Sequence, residues 1–198
     1  MDQSSLLYQA FTVNKELFVS GKNSWFQKVS NILNMLEINC DNIDIKQVKN
    51  KLISRFKLFW INKLSNNKKL ESYTKYKSNF ILEPYLFLIK NRDYRKQLTR
   101  LRISAHSLEI EQGRYKNKTR EERLCSKCNK IEDEIHFLLH CTNFVEDRQV
   151  LMDCVKKLVP NFACLNDENK MFYLMTCEED VVLNVLAKFI YTSFKNRP

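Results

Sequence analysis

Apolar residues recur every three to four positions along much of the chain, which is the spacing of one buried face of an α-helix. Two early stripes run from Trp25 to Leu36 and from Ile45 to Trp60, and a late one runs from Val181 to Ile190. Ser24 and Asp44 directly precede the early stripes, where a short polar side chain can cap a helix. The pattern therefore predicts a mainly α fold.

The remaining segments mostly follow the same pattern. Further helices are predicted over residues 6–18, 143–158 and 166–176, and Pro84 fits the first turn of another that continues to Arg102. Leu108 and Ile110 alternate with polar residues instead, which predicts a short extended piece that ends at Gly113. Glycine (2) and proline (3) are too scarce for the many tight turns of an all-β fold.

Length and composition indicate how the chain is organised. With 198 residues, 44% of them hydrophobic, we expect one sizeable core. We predict an N-terminal helical region over residues 1–97, a basic segment with a metal module over 98–148, and C-terminal helices over 149–198 that pack on the rest.

The net charge of +10 is concentrated in one part of the chain. Residues 46–130 contain 23 lysines and arginines against 7 acidic residues, whereas the segments before and after have a negative balance. Because chance would spread the charges, this segregation favours a basic face that binds a polyanion.

The basic residues within 95–120 are the candidate contacts, since cationic side chains neutralise phosphates. They are Arg95, Lys96, Arg100, Arg102, His106, Arg114, Lys116, Lys118 and Arg120. Nearby tyrosines, such as Tyr94 and Tyr115, offer surfaces on which unpaired bases can stack. We therefore expect DNA or RNA as the partner and no small-molecule substrate.

Four residues form a candidate metal site. Cys125, Cys128, His136 and Cys141 are spaced Cys-x2-Cys-x7-His-x4-Cys. Zinc prefers a tetrahedron of thiolate and imidazole ligands, and Cys-x2-Cys lets one tight turn offer two sulfurs. We predict one structural Zn²⁺ in a small CCHC knuckle embedded in the helical domain. Four protein ligands leave no open position for a reacting group, so this zinc is not expected to be catalytic.

The spacing leaves two alternatives for the fourth ligand. His136 and His140 are four residues apart and share a helical face. Cys141 lies five residues after His136, so its use requires the helix to end or loosen near His140. Thiolate is the stronger zinc donor, which favours Cys141 and leaves His140 as the alternative.

The N-terminal residues lack the basic and apolar regions of a signal peptide, and no apolar stretch is long enough to span a membrane. We therefore expect no membrane partner and an intracellular, reducing compartment, nuclear or cytoplasmic, without disulfides. The scattered cysteines are expected to be small buried residues. They are Cys40, Cys154, Cys164 and Cys177.

From about residue 23 to residue 148, the chain resembles the C-terminal region of non-LTR retrotransposon reverse transcriptases. Leu98–Tyr115 is similar to the segment before their zinc-binding module, and Glu122–Cys128 with Glu132–Cys141 is similar to the module itself. The ligands in that family are two cysteines, a histidine and a final cysteine. The resemblance therefore implies the same four ligands here, with Cys141 in place of His140.

The resemblance also implies contact with nucleic acid beside a reverse transcriptase polymerase domain, during insertion of element RNA. The sequence has no Tyr-x-Asp-Asp polymerase signature and no Asp-Asp pair. The polymerase activity of that family is therefore not predicted for this chain, and we do not expect it to be an enzyme. The alternative is a zinc-braced helical scaffold for protein interactions, in which the acidic terminal segments could dock a basic partner.

Overall fold

The computed structural model of the protein describes residues 4–39 and 43–197. Secondary structure in these ranges is helical apart from one isolated antiparallel bridge, so the predicted mainly α class is confirmed. The helices are α1 (Leu6–Val19), α2 (Trp25–Met35), α3 (Ile45–Ser65), α4 (Glu71–Tyr76), α5 (Tyr85–Leu88), α6 (Arg92–Arg102), α7 (Glu109–Tyr115), α8 (Val145–Leu158), α9 (Asp167–Thr176) and α10 (Asp180–Lys195).

Four shorter turns connect these helices within the described residues. Three are 3₁₀ turns, at Lys68–Leu70, Thr142–Phe144 and Pro160–Cys164, and one is a π-helical turn at His136–His140. None of the helices in the described ranges is both long and apolar enough to cross a bilayer.

The chain divides into two compact units, the first ending at Lys63 and the second beginning at Leu64. The three functional regions that the sequence suggested, 1–97, 98–148 and 149–198, stay a prediction.

Helices α1 and α2 of the first unit pack through aromatic side chains. The Phe11 ring centroid lies 5.8 Å from that of Phe26, and Phe18 approaches Phe26 to 5.2 Å. Both predicted caps are confirmed. The side chain of Ser24 accepts a hydrogen bond from the Gln27 amide at 3.2 Å, and Asp44 accepts one from the Lys46 amide at 2.9 Å.

The second unit is built around α10, which packs against α6 and α8. Its apolar stripe is fully buried at Val182, Leu186 and Ile190, so the late stripe in the sequence marks the centre of the larger core. This core also contains the candidate metal ligands Cys125 and Cys141.

The predicted single helix from Pro84 to Arg102 is wrong, because the chain breaks between α5 and α6. Asn91 starts α6 by accepting hydrogen bonds from the amides of Asp93 and Tyr94, at 2.9 and 3.2 Å. The Arg95 guanidinium donates to the Ile89 carbonyl at the end of α5, at 2.8 Å. A side-chain cap and an arginine thus compensate the helix ends that the break exposes.

The predicted extended segment at Leu108–Ile110 is also wrong, because residues 109–115 form α7. Gly113 lies inside this helix, where the side chain of Arg123 crosses it. A Cβ at Gly113 would lie 2.5 Å from Cγ of Arg123. Arg123 has little freedom to move aside, since it donates to the carbonyls of Ile110 at 2.9 Å and Lys118 at 2.8 Å.

Gly113→Ala should therefore destabilise the protein. At an ordinary helix position this substitution stabilises by up to about 1 kcal/mol, but here overpacking against Arg123 should cost about 1–3 kcal/mol. Urea unfolding of the variant, with Gln112→Ala as a control on the same helix, measures the difference. A Gly113→Ala protein as stable as the wild type would contradict the packing described for Arg123.

Candidate metal centre

Cys125 and Cys128 lie in a tight hairpin turn. Leu124 and Ile131 form its antiparallel bridge, and the Cys125 amide donates to the Lys130 carbonyl at 2.8 Å. Asn129 closes the turn with a φ of 51°, in the left-handed region that asparagine tolerates better than most residues. The turn presents both cysteine sulfurs to one point.

His136 and Cys141 are brought together by a π-helical turn. Asp133 starts it by accepting a hydrogen bond from the His136 amide at 2.9 Å. The Cys141 amide donates to the His136 carbonyl at 2.7 Å, a bond that spans five residues instead of four. The loosened helix that Cys141 requires as a ligand is therefore present.

The four candidate ligand atoms of Cys125, Cys128, His136 and Cys141 all lie within 4.8 Å of one another. The Cys141 sulfur is 3.9 Å from that of Cys125 and 3.8 Å from that of Cys128. Zinc–sulfur bonds of about 2.3 Å in a tetrahedron place sulfurs about 3.8 Å apart. The spacing fits a tetrahedral metal and is far too long for a disulfide bond of about 2.05 Å.

The imidazole of His136 provides an independent test of whether a metal fits. His136 is buried, and its Nε2 has no hydrogen-bond partner in the described part of the structure. A buried polar atom without a partner costs about 1–3 kcal/mol. A cation bound between Nε2 and the three sulfurs would remove that cost, so these residues fit a metal.

Titration of the cluster follows from burial and hydrogen bonding. Burial raises the pKa of Cys141 to about 12, with a further contribution from the nearby Cys125. Burial also acts to raise the pKa of Cys128, but hydrogen bonds from the hydroxyl and amide of Thr142 outweigh it and lower that pKa below its usual value. Burial lowers the pKa of His136, which favours the neutral imidazole that binds metals.

Arg148 on α8 is buried beside the cluster, and no local sequence pattern marks it as a functional residue. Its guanidinium donates to the carbonyls of Leu138 at 2.8 Å, Phe137 at 3.2 Å and Cys141 at 2.6 Å. These carbonyls end the π-helical turn, where helical hydrogen bonds run out. Arg148 therefore holds the backbone that carries His136 and Cys141.

His140 lies apart from the cluster. Its Nε2 is 2.6 Å from the carboxylate of Asp167, and 46% of its side chain is exposed. Of the two alternatives for the fourth position, the fold brings Cys141 to the other ligands and turns His140 toward α9.

The other cysteines only partly match the predicted burial. Cys154 and Cys177 are half-buried, but Cys164 is exposed at the end of the 3₁₀ turn that begins at Pro160, so the prediction for it is wrong. Cys40 lies outside the described residues.

Two of the predicted nucleic-acid contacts are buried within the second unit. Arg102 forms an ion pair with Glu83 at 2.9 Å and donates to the Met175 carbonyl. His106 accepts a hydrogen bond from the Leu108 amide at Nδ1, so its Nε2 carries the proton and donates to Glu134 at 3.0 Å. Their inward orientation is a tertiary effect that the local sequence does not reveal.

The other predicted contacts lie closer to the surface. Lys96 and Arg100 are exposed on α6, and Arg95 is half-buried at the end of α5. Four others face carboxylates. These pairs are Arg114 with Glu111 at 3.0 Å, Lys116 and Lys118 with Glu109 at 3.9 and 3.1 Å, and Arg120 with Asp133 at 3.3 Å.

Comparison of the chain with protein-family models, with curated proteins and with solved structures gives no match. The candidate metal centre therefore rests on its own geometry, and the resemblance to retrotransposon proteins remains a prediction.

The ligand set can be tested by metal content. Cys125→Ser and Cys141→Ser should lose the one zinc per chain that we expect, because each removes a sulfur from the cluster. Cys164→Ser and His140→Gln should retain it. Zinc in the purified proteins is measured by mass spectrometry. Loss of zinc in His140→Gln with retention in Cys141→Ser would reverse the assignment of the fourth ligand.

Arg148→Met should weaken zinc binding by about 10- to 100-fold, the usual effect of removing a group that orients metal ligands. The physical reason is that the carbonyls of Phe137, Leu138 and Cys141 lose their common donor. Competition with a chromophoric chelator measures the affinity. Lys156→Met, an exposed change on the same helix, serves as the control, and equal affinities for the two variants would exclude this role for Arg148.

Proposed function

We propose that this protein is a zinc-stabilised, nucleic-acid-binding module without catalytic residues of its own. The observation that carries the proposal is the convergence of Cys125, Cys128, His136 and Cys141 around one buried point, in the same unit as the exposed cationic side chains. The zinc has a structural role in this proposal, since four protein ligands complete a tetrahedron.

The nucleic-acid part of the proposal is supported by the charge that remains at the surface. Lys96 and Arg100 are exposed, and no ion pair neutralises either of them among the described residues. Arg114 is also exposed, although Glu111 neutralises part of its charge. The binding surface that we propose omits Arg102 and His106, because both are buried.

The resemblance to the zinc-binding region of non-LTR retrotransposon reverse transcriptases supports the same function. It rests on the spacing of the four ligands and on the segment Leu98–Tyr115. On this basis we propose a reverse transcriptase polymerase domain as the functional neighbour of the module.

A protein-interaction scaffold is the second candidate function. It is favoured by α3, where Leu52, Ile53 and Phe59 are exposed at 41%, 40% and 57%. Large apolar side chains that lie together at a surface are typical of interaction sites. A partner whose binding survives nuclease treatment distinguishes this candidate from the first.

The first proposal predicts oligonucleotide binding that weakens steeply with added salt, because binding releases counterions from phosphates. Arg100→Gln/Arg114→Gln should reduce the slope of log K against log salt for a single strand by about 1.4, the value for two lost phosphate contacts. Fluorescence anisotropy over a salt series measures the slope.

Lys156→Gln/Lys157→Gln is the matched control, since it removes the same charge from the exposed side of α8. All variants should keep their zinc and helical circular dichroism. Binding that is undetectable for both duplex and single strands, or that does not respond to salt, would overturn the proposed function.

A further inference from the structure

A polar cleft in the second unit indicates whether the protein binds single-stranded or double-stranded nucleic acid. The cleft has a volume of about 380 Å³ and lies where the segment Lys68–Tyr76 faces α7 and the metal module. Its basic lining residues are Lys68, Lys69, Lys75, Arg114, Arg120 and Arg123. We propose that this cleft holds one nucleotide of an unpaired DNA or RNA strand, an inference that rests on the proposed function.

The charges of the cleft are arranged asymmetrically. The two arginines Arg114 and Arg120 each face a carboxylate, Glu111 at 3.0 Å and Asp133 at 3.3 Å. On the opposite wall, no carboxylate lies within ion-pairing distance of Lys68, Lys69 or Lys75 among residues 4–39 and 43–197. An anion entering the cleft therefore meets three ammonium groups on that wall that form no ion pair among the described residues, with Glu71 as the carboxylate of the same segment.

Two side chains of the wall formed by α7 and the metal module are held by hydrogen bonds. Arg123 is fixed by its hydrogen bonds to the carbonyls of Ile110 and Lys118, and it lies against Gly113. Glu134, which also lines the cleft, is hydrogen-bonded to His106 at 3.0 Å. Because Arg123 and Glu134 are already held in place, a ligand that contacts them binds without the entropic cost of ordering these two side chains.

The size and chemistry of the cleft favour an unpaired strand over other polyanions. A volume of about 380 Å³ lies within the roughly 300–1,000 Å³ of small-ligand sites, so it can take a single nucleotide but not a duplex. The carboxylates in the same walls disfavour a compact ligand with several adjacent phosphates. An unpaired oligonucleotide can place a single nucleotide in this volume. It carries only one charge per nucleotide, so the carboxylates in the walls disfavour it less than a ligand with several adjacent phosphates.

Tyr76 supplies an aromatic side chain to the same cleft. It is half-buried, and its ring centroid lies 6.5 Å from that of Phe172. Basic grooves that bind single strands commonly pair cations with such rings, on which bases of any sequence stack. The duplex keeps its bases stacked inside and cannot use this contact.

The test uses the full zinc-loaded chain with a fluorescein-labelled 20-nucleotide oligo(dT) and a 20-base-pair duplex. Lys68→Gln/Lys69→Gln/Lys75→Gln should lower the salt slope for oligo(dT) by about 2, the value for three lost phosphate contacts. The matched control Lys156→Gln/Lys157→Gln/Lys188→Gln removes three exposed charges outside the cleft and should keep the wild-type slope.

A second pair of variants separates stacking from charge. Tyr76→Leu should weaken oligo(dT) binding by roughly 5- to 150-fold, which corresponds to about 1–3 kcal/mol for one stacked base, with the salt slope unchanged. Tyr76→Phe retains the ring and should retain binding. Circular dichroism and zinc content verify that both variants fold.

Three outcomes would overturn the inference. If the wild type binds oligo(dT) or the duplex but the cleft lysine variant matches its control, the site is elsewhere and the proposed function stands. If the wild type binds the duplex more tightly than oligo(dT), the assignment to an unpaired strand is wrong. If it binds neither, the proposed function fails together with the inference.

Discussion

The stability of the second unit depends on whether the buried imidazole of His136 has a partner for its Nε2. The adjacent Phe137 is 1% exposed, and its ring lies 4.8 Å from that of Phe194 and 5.8 Å from that of Phe189. The neighbouring residue His136 thus has its imidazole fixed in the same core, with an Nε2 that finds no hydrogen-bond partner among residues 4–39 and 43–197. Burial of such an atom is unfavourable unless something else binds it. A metal ion in the cluster would therefore stabilise the core as well as the segment that carries the four candidate ligands.

Local features of this molecule could be predicted from the sequence, and tertiary ones could not. The cap at Ser24 and the clustering of the four candidate ligands depend on spacing within one short segment each, which the sequence displays directly. Helix α7 packs against Arg123 at Gly113, and α6 begins at the capping residue Asn91. These contacts outweigh the alternation of Leu108 and Ile110, because local preferences are weaker than packing.

The distribution of charge is likewise only partly predictable from the sequence. A count along the sequence finds the basic stretch, but it cannot show which cations the fold neutralises. Glu83 lies 19 residues before Arg102, and Glu134 lies 28 residues after His106, yet each pair is in contact. The basic segment is therefore partly a structural element. The buried guanidinium of Arg102 and the buried imidazole of His106 bind carboxylates inside the unit, while other basic side chains remain at the surface. Charge density along a chain overstates the surface that is available for binding.

The short spacing of the four candidate ligands bears on the order in which the second unit folds. Residues 125–141 form one continuous segment, so bringing its ends together costs little chain entropy. Contacts between Phe137 and Phe194 close a much longer loop, so we expect them to form later. During synthesis, the segment leaves the ribosome before α10 does. A zinc ion captured at that stage would give α10 an already ordered surface on which to fold.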